Sequence, residues 1–281
     1  MKIALNNLDA EDLETRNFEK FRSKPHKLTG KQSVTQLVAH EVDPADPDAK
    51  FENPDLNELA REGFLDELIS GIKTGKEASV FLGKNSAGWV AVKIYTDLRA
   101  RSFKHDEAYR KSRFIGDARI QKAIEQGSQK GLAARQSLWV QEEFRQMQHL
   151  YEHGVRVPKA IAVNGLALVM EFIGDEDGTP APRISDLKME QAEAEAAFRQ
   201  SVQNLKRIVK SGRVHGDYSA FNILWHQAEA VVIDFPQVLE FEHNPNANIF
   251  LARDVRSLCK SFMKQGVKAD EAKVLREVRR H

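Results

Sequence analysis

A single cysteine, Cys259, stands in a chain of 281 residues, which excludes an internal disulfide. No window approaches the roughly 18 consecutive apolar residues of a membrane-spanning helix. The opening MKIALNNLDAEDLE lacks the apolar core of a secretory signal, so the expectation is a cytoplasmic protein without a membrane partner. Neither charge dominates: 42 Lys and Arg face 41 Asp and Glu, and net charge therefore selects neither nucleic acid nor protein as a partner. There is no internal repeat.

What is present fits a globular chain, with 41% apolar residues and 30% charged ones. Charge is unevenly spread. Glu41 to Glu62 carries eight acidic residues against Lys50 and Arg61, broken by Pro44, Pro47 and Pro54, the composition of an exposed and partly irregular segment. Thr96 to Leu138 inverts the balance, with ten Lys or Arg against five acidic residues. A solvated surface accounts for either run; the alternative for the second is a basic loop that meets RNA or another polyanion.

Periodicity gives the elements. Leu56, Leu59, Phe64, Leu65, Leu68 and Ile69 are spaced for one or two short helices broken at Gly63. SVFLGKNSAGWVAVKIY alternates on both sides of a Gly-containing turn and predicts a β-hairpin. Helical spacing returns between Leu138 and Tyr151, GLALVMEFIG reads as a buried strand, and Phe198, Val202, Leu205 and Val209 mark one face of a long helix from Ser185 to Lys210. Ser185 is suited to cap that helix and Gly212 to end it. AVVIDF is a further strand, and the last forty residues look helical. The order predicts an α+β chain with a small β-rich lobe followed by a larger helical one.

Several polar residues interrupt these apolar runs. Lys93, inside VAVKIY, must reach an edge or find an anion. GIKTGKEASV, upstream, contains Gly75 in a turn whose backbone N–H groups suit phosphate oxygens, although it keeps only one glycine of the G-x-G-x-x-G-x-V pattern. Glu143 is the candidate acidic partner of Lys93, with Glu142 as its rival one position away. Asp217 and Asn222 in VHGDYSAFNIL, with Asp234 in VVIDF, supply hard oxygen atoms suited to Mg²⁺ and to a hydroxyl proton. In the phosphoryl-transfer template a loop Asp takes the substrate proton, and a following Asn and a strand-end Asp hold the metal. His215 is read as a loop brace, because no second His stands at metal-ligand spacing.

TGKEASVF, AVKIY, LWVQEEFRQM, GVRVPKAIA, LVMEFIG, VHGDYSAFNIL and VIDFPQ occur in the order found in the RIO family of atypical protein kinases, which this chain resembles over roughly residues 64 to 262. The glycine-poor phosphate loop, the long basic insertion between Lys93 and Glu143, and the absence of an A-P-E element separate it from small-molecule phosphotransferases that share HGDxxxxN. The resemblance implies a two-lobed kinase-like fold. Residues 1–55 form an N-terminal extension and 56–281 the domain, with an N-lobe over 64–173, a C-lobe over 174–281 and a basic insertion over 96–138. It further implies that Lys93 binds ATP phosphates and pairs with Glu143, that Gly75 and Ser79 lie in the phosphate loop, and that Glu171 and Ile173 offer backbone groups to adenine. Asp217 becomes the proton acceptor, and Asn222 and Asp234 the ligands of Mg²⁺ or Mn²⁺. The implied activity is transfer to a protein Ser or Thr, including autophosphorylation; the alternatives are an ATPase acting as an RNA- or ribosome-linked assembly switch through a phosphoaspartate on Asp234, and a small-molecule phosphotransferase. Tyr218 stands where Leu is usual, and Pro236 follows the metal-binding Asp.

Overall fold

The computed structural model describes Leu37 and residues 48–75, 77–96, 129–235, 237–242 and 244–280, with side chains from Gln136 onward in the helix that begins at Gln129. Much of the N-terminal extension, most of the basic insertion and Pro236 lie outside the described residues.

The N-terminal lobe begins with helix α1, Pro54–Arg61, started by Asn53, whose side chain accepts the Asp55 N–H at 2.8 Å. Strands β1 (Glu67–Thr74), β2 (Ala78–Asn85), β3 (Gly88–Tyr95), β4 (Ala160–Asn164) and β5 (Ala167–Glu171) form one antiparallel sheet in the order β1-β2-β3-β5-β4. The expected hairpin is β2–β3, closed between Asn85 and Gly88. Leu68 and Ile69 belong to β1 and not to a helix: the apolar spacing over 64–69 also fits a strand, and pairing with β2 decides it. Alternation along β3 divides the lobe. Val90, Val92 and Ile94 face a core with Leu56, Leu59 and Phe81, whereas Ala91, Lys93 and Tyr95 face a cavity on the other side. Leu37 and Phe51, 2% and 3% exposed, join that same core, so part of the acidic N-terminal stretch packs with the domain.

Helix α2 (Gln129–Glu152) leads back into the sheet through β4. The C-terminal lobe is built on α3 (Gln191–Lys210), α4 (Ala247–Met263) and α5 (Glu271–Arg279). Helix α3 starts at Gln191, capped by no side chain; Ser185 instead lies in a 3-10 turn, Ile184–Asp186, that lines the cavity mouth. Two short pairs complete the lobe: β6 (Arg213–Val214) with β9 (Leu239–Glu240), and the hairpin β7 (Ile223–His226) with β8 (Glu229–Val232). One core of α2, α3, α4 and the hairpin, including Met147, Leu205, Tyr218, Ile223, Val232 and Phe262, lies beneath them.

Candidate active site

A cavity of about 560 Å³ lies between the sheet and the hairpin, and its walls carry Gly75, Lys93, Glu143, Glu171, Ile173, Asn222 and Asp234 together. Positions separated by many tens of residues in sequence thus meet at one space.

Lys93 sits mid-strand with its side chain 10% exposed. Its Nζ donates to Glu143 Oε1 at 2.7 Å and to Asp234 Oδ1 at 2.9 Å. Burial opposes the charge on Lys93, but Glu143 and Asp234 outweigh it and hold the ammonium well above its ordinary value. For Glu143, 2% exposed, burial pushes the carboxyl up, with Lys93 working against that shift. Glu142 turns outward instead, accepting from Arg145 at 3.2 Å and Gln146 at 2.7 Å, so the helix phase of α2 selects Glu143. Asp234 is more open, its side chain 45% exposed. Burial opposes its ionisation, yet Lys93 overcomes this and keeps the carboxyl below the usual range, with His215 and Lys73 adding to the effect.

Asp234 stands two residues beyond β8 rather than on the strand end, with φ at +69°. A non-glycine residue in the left-handed region costs on the order of 1–3 kcal/mol, and such strain gathers at sites that need an aimed side chain. The Ile233 N–H donates to the Asn222 carbonyl at 2.9 Å and links the two residues expected to hold a metal.

The loop VHGDYSAFN is held from beneath by a residue that the sequence reading missed. Asp254 on α4, 1% exposed, accepts the N–H groups of Gly216 at 2.8 Å and Tyr218 at 3.0 Å, while Arg253 donates to the Gly216 carbonyl. Burial raises the Asp254 carboxyl. The signal was an acid on the apolar stripe of Leu251, Val255 and Leu258. Gly216 has φ at +83°, and a Cβ there would meet the Gln237 carbonyl at 2.8 Å, so only glycine fits. Tyr218 fills the core, fully buried, and donates its hydroxyl to the Ser201 carbonyl at 2.8 Å. His215, also fully buried, lies against the rings of Tyr218 and Phe235, and its Nδ1 faces the Asp217 N–H at 3.4 Å, the brace expected of it.

These anchors leave Asp217 exposed at the surface of the loop. Asn222 donates Nδ2 to the Asp217 carbonyl at 2.9 Å and to Asp217 Oδ2 at 3.0 Å, which leaves the amide oxygen Oδ1 free for a cation. Asn222 Oδ1 and an ionised Asp234 are hard oxygen atoms, the kind of donor that would suit Mg²⁺ if substrate phosphates completed its shell. No cluster of three or more His, Cys, Asp or Glu suited to a metal occurs among the described residues.

In the segment from Glu171 to Ile173, the expected adenine-binding hinge, the Glu171 N–H is taken by the Lys159 carbonyl at 2.8 Å and the Ile173 carbonyl accepts from Ala181 at 2.9 Å, while the Ile173 N–H has no partner among the described residues. Gly75 lines the cavity within a tight turn closed by its N–H to the Ala78 carbonyl at 2.9 Å. Ser79 is not brought to the cavity. Ala78 and Val80 line the wall, so the intervening Ser79 faces the opposite side of β2 and is buried there. Lys73 on β1 also reaches the wall, near Arg183 and Asp186. The part of the basic insertion expected to meet a polyanion falls largely outside the described residues; its last ten positions begin α2.

Comparison with known proteins agrees with this geometry. The family model described as RIO domain matches residues 79–274. The RIO-type serine/threonine-protein kinase Rio1 of Haloferax volcanii is 39% identical over 217 residues, covering 76% of this chain and 70% of that protein. The human serine/threonine-protein kinase RIO1 is 30% identical over 215 residues, 75% of this chain but 36% of its own length; the chain thus spans well under half of such eukaryotic relatives. Among solved structures, the Rio2 kinase of Chaetomium thermophilum in an ADP/Mg²⁺-phosphoaspartate complex matches with a TM-score of 0.56 at 21% identity, over 79% of this chain and 64% of that one, which speaks for the fold. A buried strand lysine held by a helix glutamate, on a cavity also lined by a loop asparagine that bonds Asp217, together with a family match over most of the chain, leads to one conclusion: this chain belongs to the RIO family of serine/threonine-protein kinases.

Proposed function

We propose that this chain transfers the γ-phosphoryl group of ATP to a Ser or Thr hydroxyl of a protein, its own chain included. The observation that carries the reading is the convergence of Lys93, Glu143 and Asp234 within 2.9 Å on a cavity also lined by Asn222, whose amide donates to Asp217.

Adenine would meet the Ile173 N–H and the Glu171 carbonyl, with Ala91 and Met170 against its faces. The phosphates would pass beneath the Gly75 turn to Lys93, whose charge, fixed by Glu143, attracts them. Asn222 and Asp234 would hold Mg²⁺ or Mn²⁺, which supplies charge neutralisation at the phosphate oxygens. Lys93 now binds Asp234, so nucleotide must draw the ammonium toward phosphate and leave the carboxylate to the metal. Asp217 Oδ1 accepts the acceptor hydroxyl proton as the new O–P bond forms and the bond to ADP breaks; Asn222, donating to Oδ2, fixes the carboxylate's direction. Positioning and charge do the rest.

A second reading has its own support. Asp234 opens to the cavity in a strained backbone, and the Chaetomium thermophilum structure carries a phosphoaspartate, so ATP hydrolysis through an acyl phosphate on Asp234 fits the same site. A protein acceptor, and RNA or another polyanion at the basic insertion, are the partners that follow from these readings.

The test is incubation with γ-labelled ATP and Mg²⁺, with wild type beside Asp217→Asn. Acid-stable label on protein supports Ser/Thr transfer; label removed by hydroxylamine supports the acyl phosphate. Label on neither protein nor released phosphate refutes both.

A further inference from the structure

Arg156, in the segment that joins α2 to β4, ties the hinge to the hairpin behind the cavity. Its Nη1 and Nη2 donate to the two carboxylate oxygens of Glu171 at 3.3 and 3.4 Å, and its Nε donates to Glu229 Oε2 at 3.1 Å. Glu171 is a hinge residue; Glu229 opens β8. The Arg156 main chain is fastened at both ends: its N–H donates to Asn204 Oδ1 at 3.2 Å, and its carbonyl accepts the Val232 N–H at 2.9 Å.

The hairpin that it grips is itself rigid. Gln227 and Ala228 turn it with φ at +50° and +61°, and Gln200 from α3 clamps it, donating to the Ala228 carbonyl at 2.8 Å and accepting the Ala230 N–H at 2.9 Å. Asn222 precedes β7 and Asp234 follows β8, so the hairpin's two feet are the two residues assigned to the metal. Exposed ion pairs alone contribute little. A planar guanidinium shared between two carboxylates, on an anchored backbone, instead fixes a distance.

We infer that Arg156 is a positioning residue that sets the spacing between the adenine-binding hinge and the Asn222–Asp234 pair, so that one nucleotide can satisfy both at once. The inference rests on the nucleotide reading above. It concerns the linkage between two half-sites: each half binds its own fragment, and Arg156 determines how much of both affinities a single ATP molecule realises.

The experiment measures, on the full chain with Mg²⁺, the affinities of ATP, adenosine and inorganic tripolyphosphate for wild type, Arg156→Met, Arg156→Lys and Glu229→Gln. In Arg156→Met the two fragments are expected to bind as they do to wild type, while ATP weakens about fivefold to twentyfold, the size of coupling seen between residues of one network. Arg156→Lys should not rescue, because an ammonium cannot span both carboxylates. Glu229→Gln changes only an exposed group, so folding is not at issue, and it should weaken ATP about twofold to fivefold with fragments again unchanged. ATP affinity equal to wild type in Arg156→Met overturns the inference, and so does a parallel loss for all three ligands, which marks simple damage to the fold. A wild-type chain that binds neither ATP nor tripolyphosphate overturns the nucleotide reading itself, a separate result.

Discussion

Replacing Lys93 by Met removes the one cation between two carboxylates while keeping the side chain's length and apolar stem. Glu143 is then left 2% exposed, and its Oε2, buried, already has no hydrogen-bond partner among the described residues. Breaking a buried pair from one side costs about 3–5 kcal/mol, because the remaining charge is uncompensated. Asp234, 45% exposed, can turn to water and add little to that cost. The loss depends on pH with a definite sign. In wild type the Lys93 charge opposes the upward shift that burial imposes on Glu143; in the variant burial and Asp234 are opposed only by the Phe235 N–H, which donates to Glu143 Oε1 at 3.4 Å. The folded chain then holds a proton on Glu143 that the unfolded chain releases, so stability falls as pH rises above the ordinary carboxylate range and recovers toward pH 5. Urea denaturation at pH 5 and pH 7.5 measures the difference. Lys93→Met with Glu143→Leu, which removes both charges, should regain most of the stability at pH 7.5 and no transferase activity, since an apolar pair of similar volume replaces a buried ion pair at little cost. Equal destabilisation at both pH values, or strictly additive effects in the double variant, refutes the reasoning that Glu143 is buried for the sake of Lys93.

Three further outcomes are expected. Asp217→Asn should bind ATP as wild type does and lose about 10²–10⁴ in turnover, read by steady-state kinetics beside nucleotide titration. Gly216→Ala, at φ +83° with the Gln237 carbonyl 2.8 Å from the new Cβ, should cost on the order of 1–3 kcal/mol in denaturation and lower turnover with it, because Asp217 follows directly. Tyr218→Phe removes the hydroxyl bonded to the Ser201 carbonyl and should cost about 1 kcal/mol with kcat unchanged, so an activity loss beyond stability there would give Tyr218 a role outside the core.

The candidate site was legible wherever a polar residue interrupted an apolar run. Lys93 in VAVKIY and Asp217 and Asn222 in VHGDYSAFNIL stood out for that reason, and the hairpin that carries Lys93 was legible because strand alternation is a local property. Phase was less legible. Helical spacing over 64–69 resembled strand spacing until β2 paired with it, and Ser185 looked like a cap although α3 begins six residues later. Asp254 escaped notice because its partners are main-chain N–H groups of a loop more than 30 residues away, and such groups have no sequence signature.

The sequence by itself determined which polar groups the chain offers to the proposed phosphoryl transfer, since side-chain chemistry and the order of short motifs are properties of the chain. Only the tertiary structure decided between Glu143 and Glu142, turned Ser79 from the cavity, set Asp254 under the loop and Arg156 behind the hinge. The physical reason is reach: a hydrogen bond acts over about 3 Å. Lys93 and Asp234 lie 141 positions apart, and their 2.9 Å separation is set by packing rather than by either residue's neighbours in sequence.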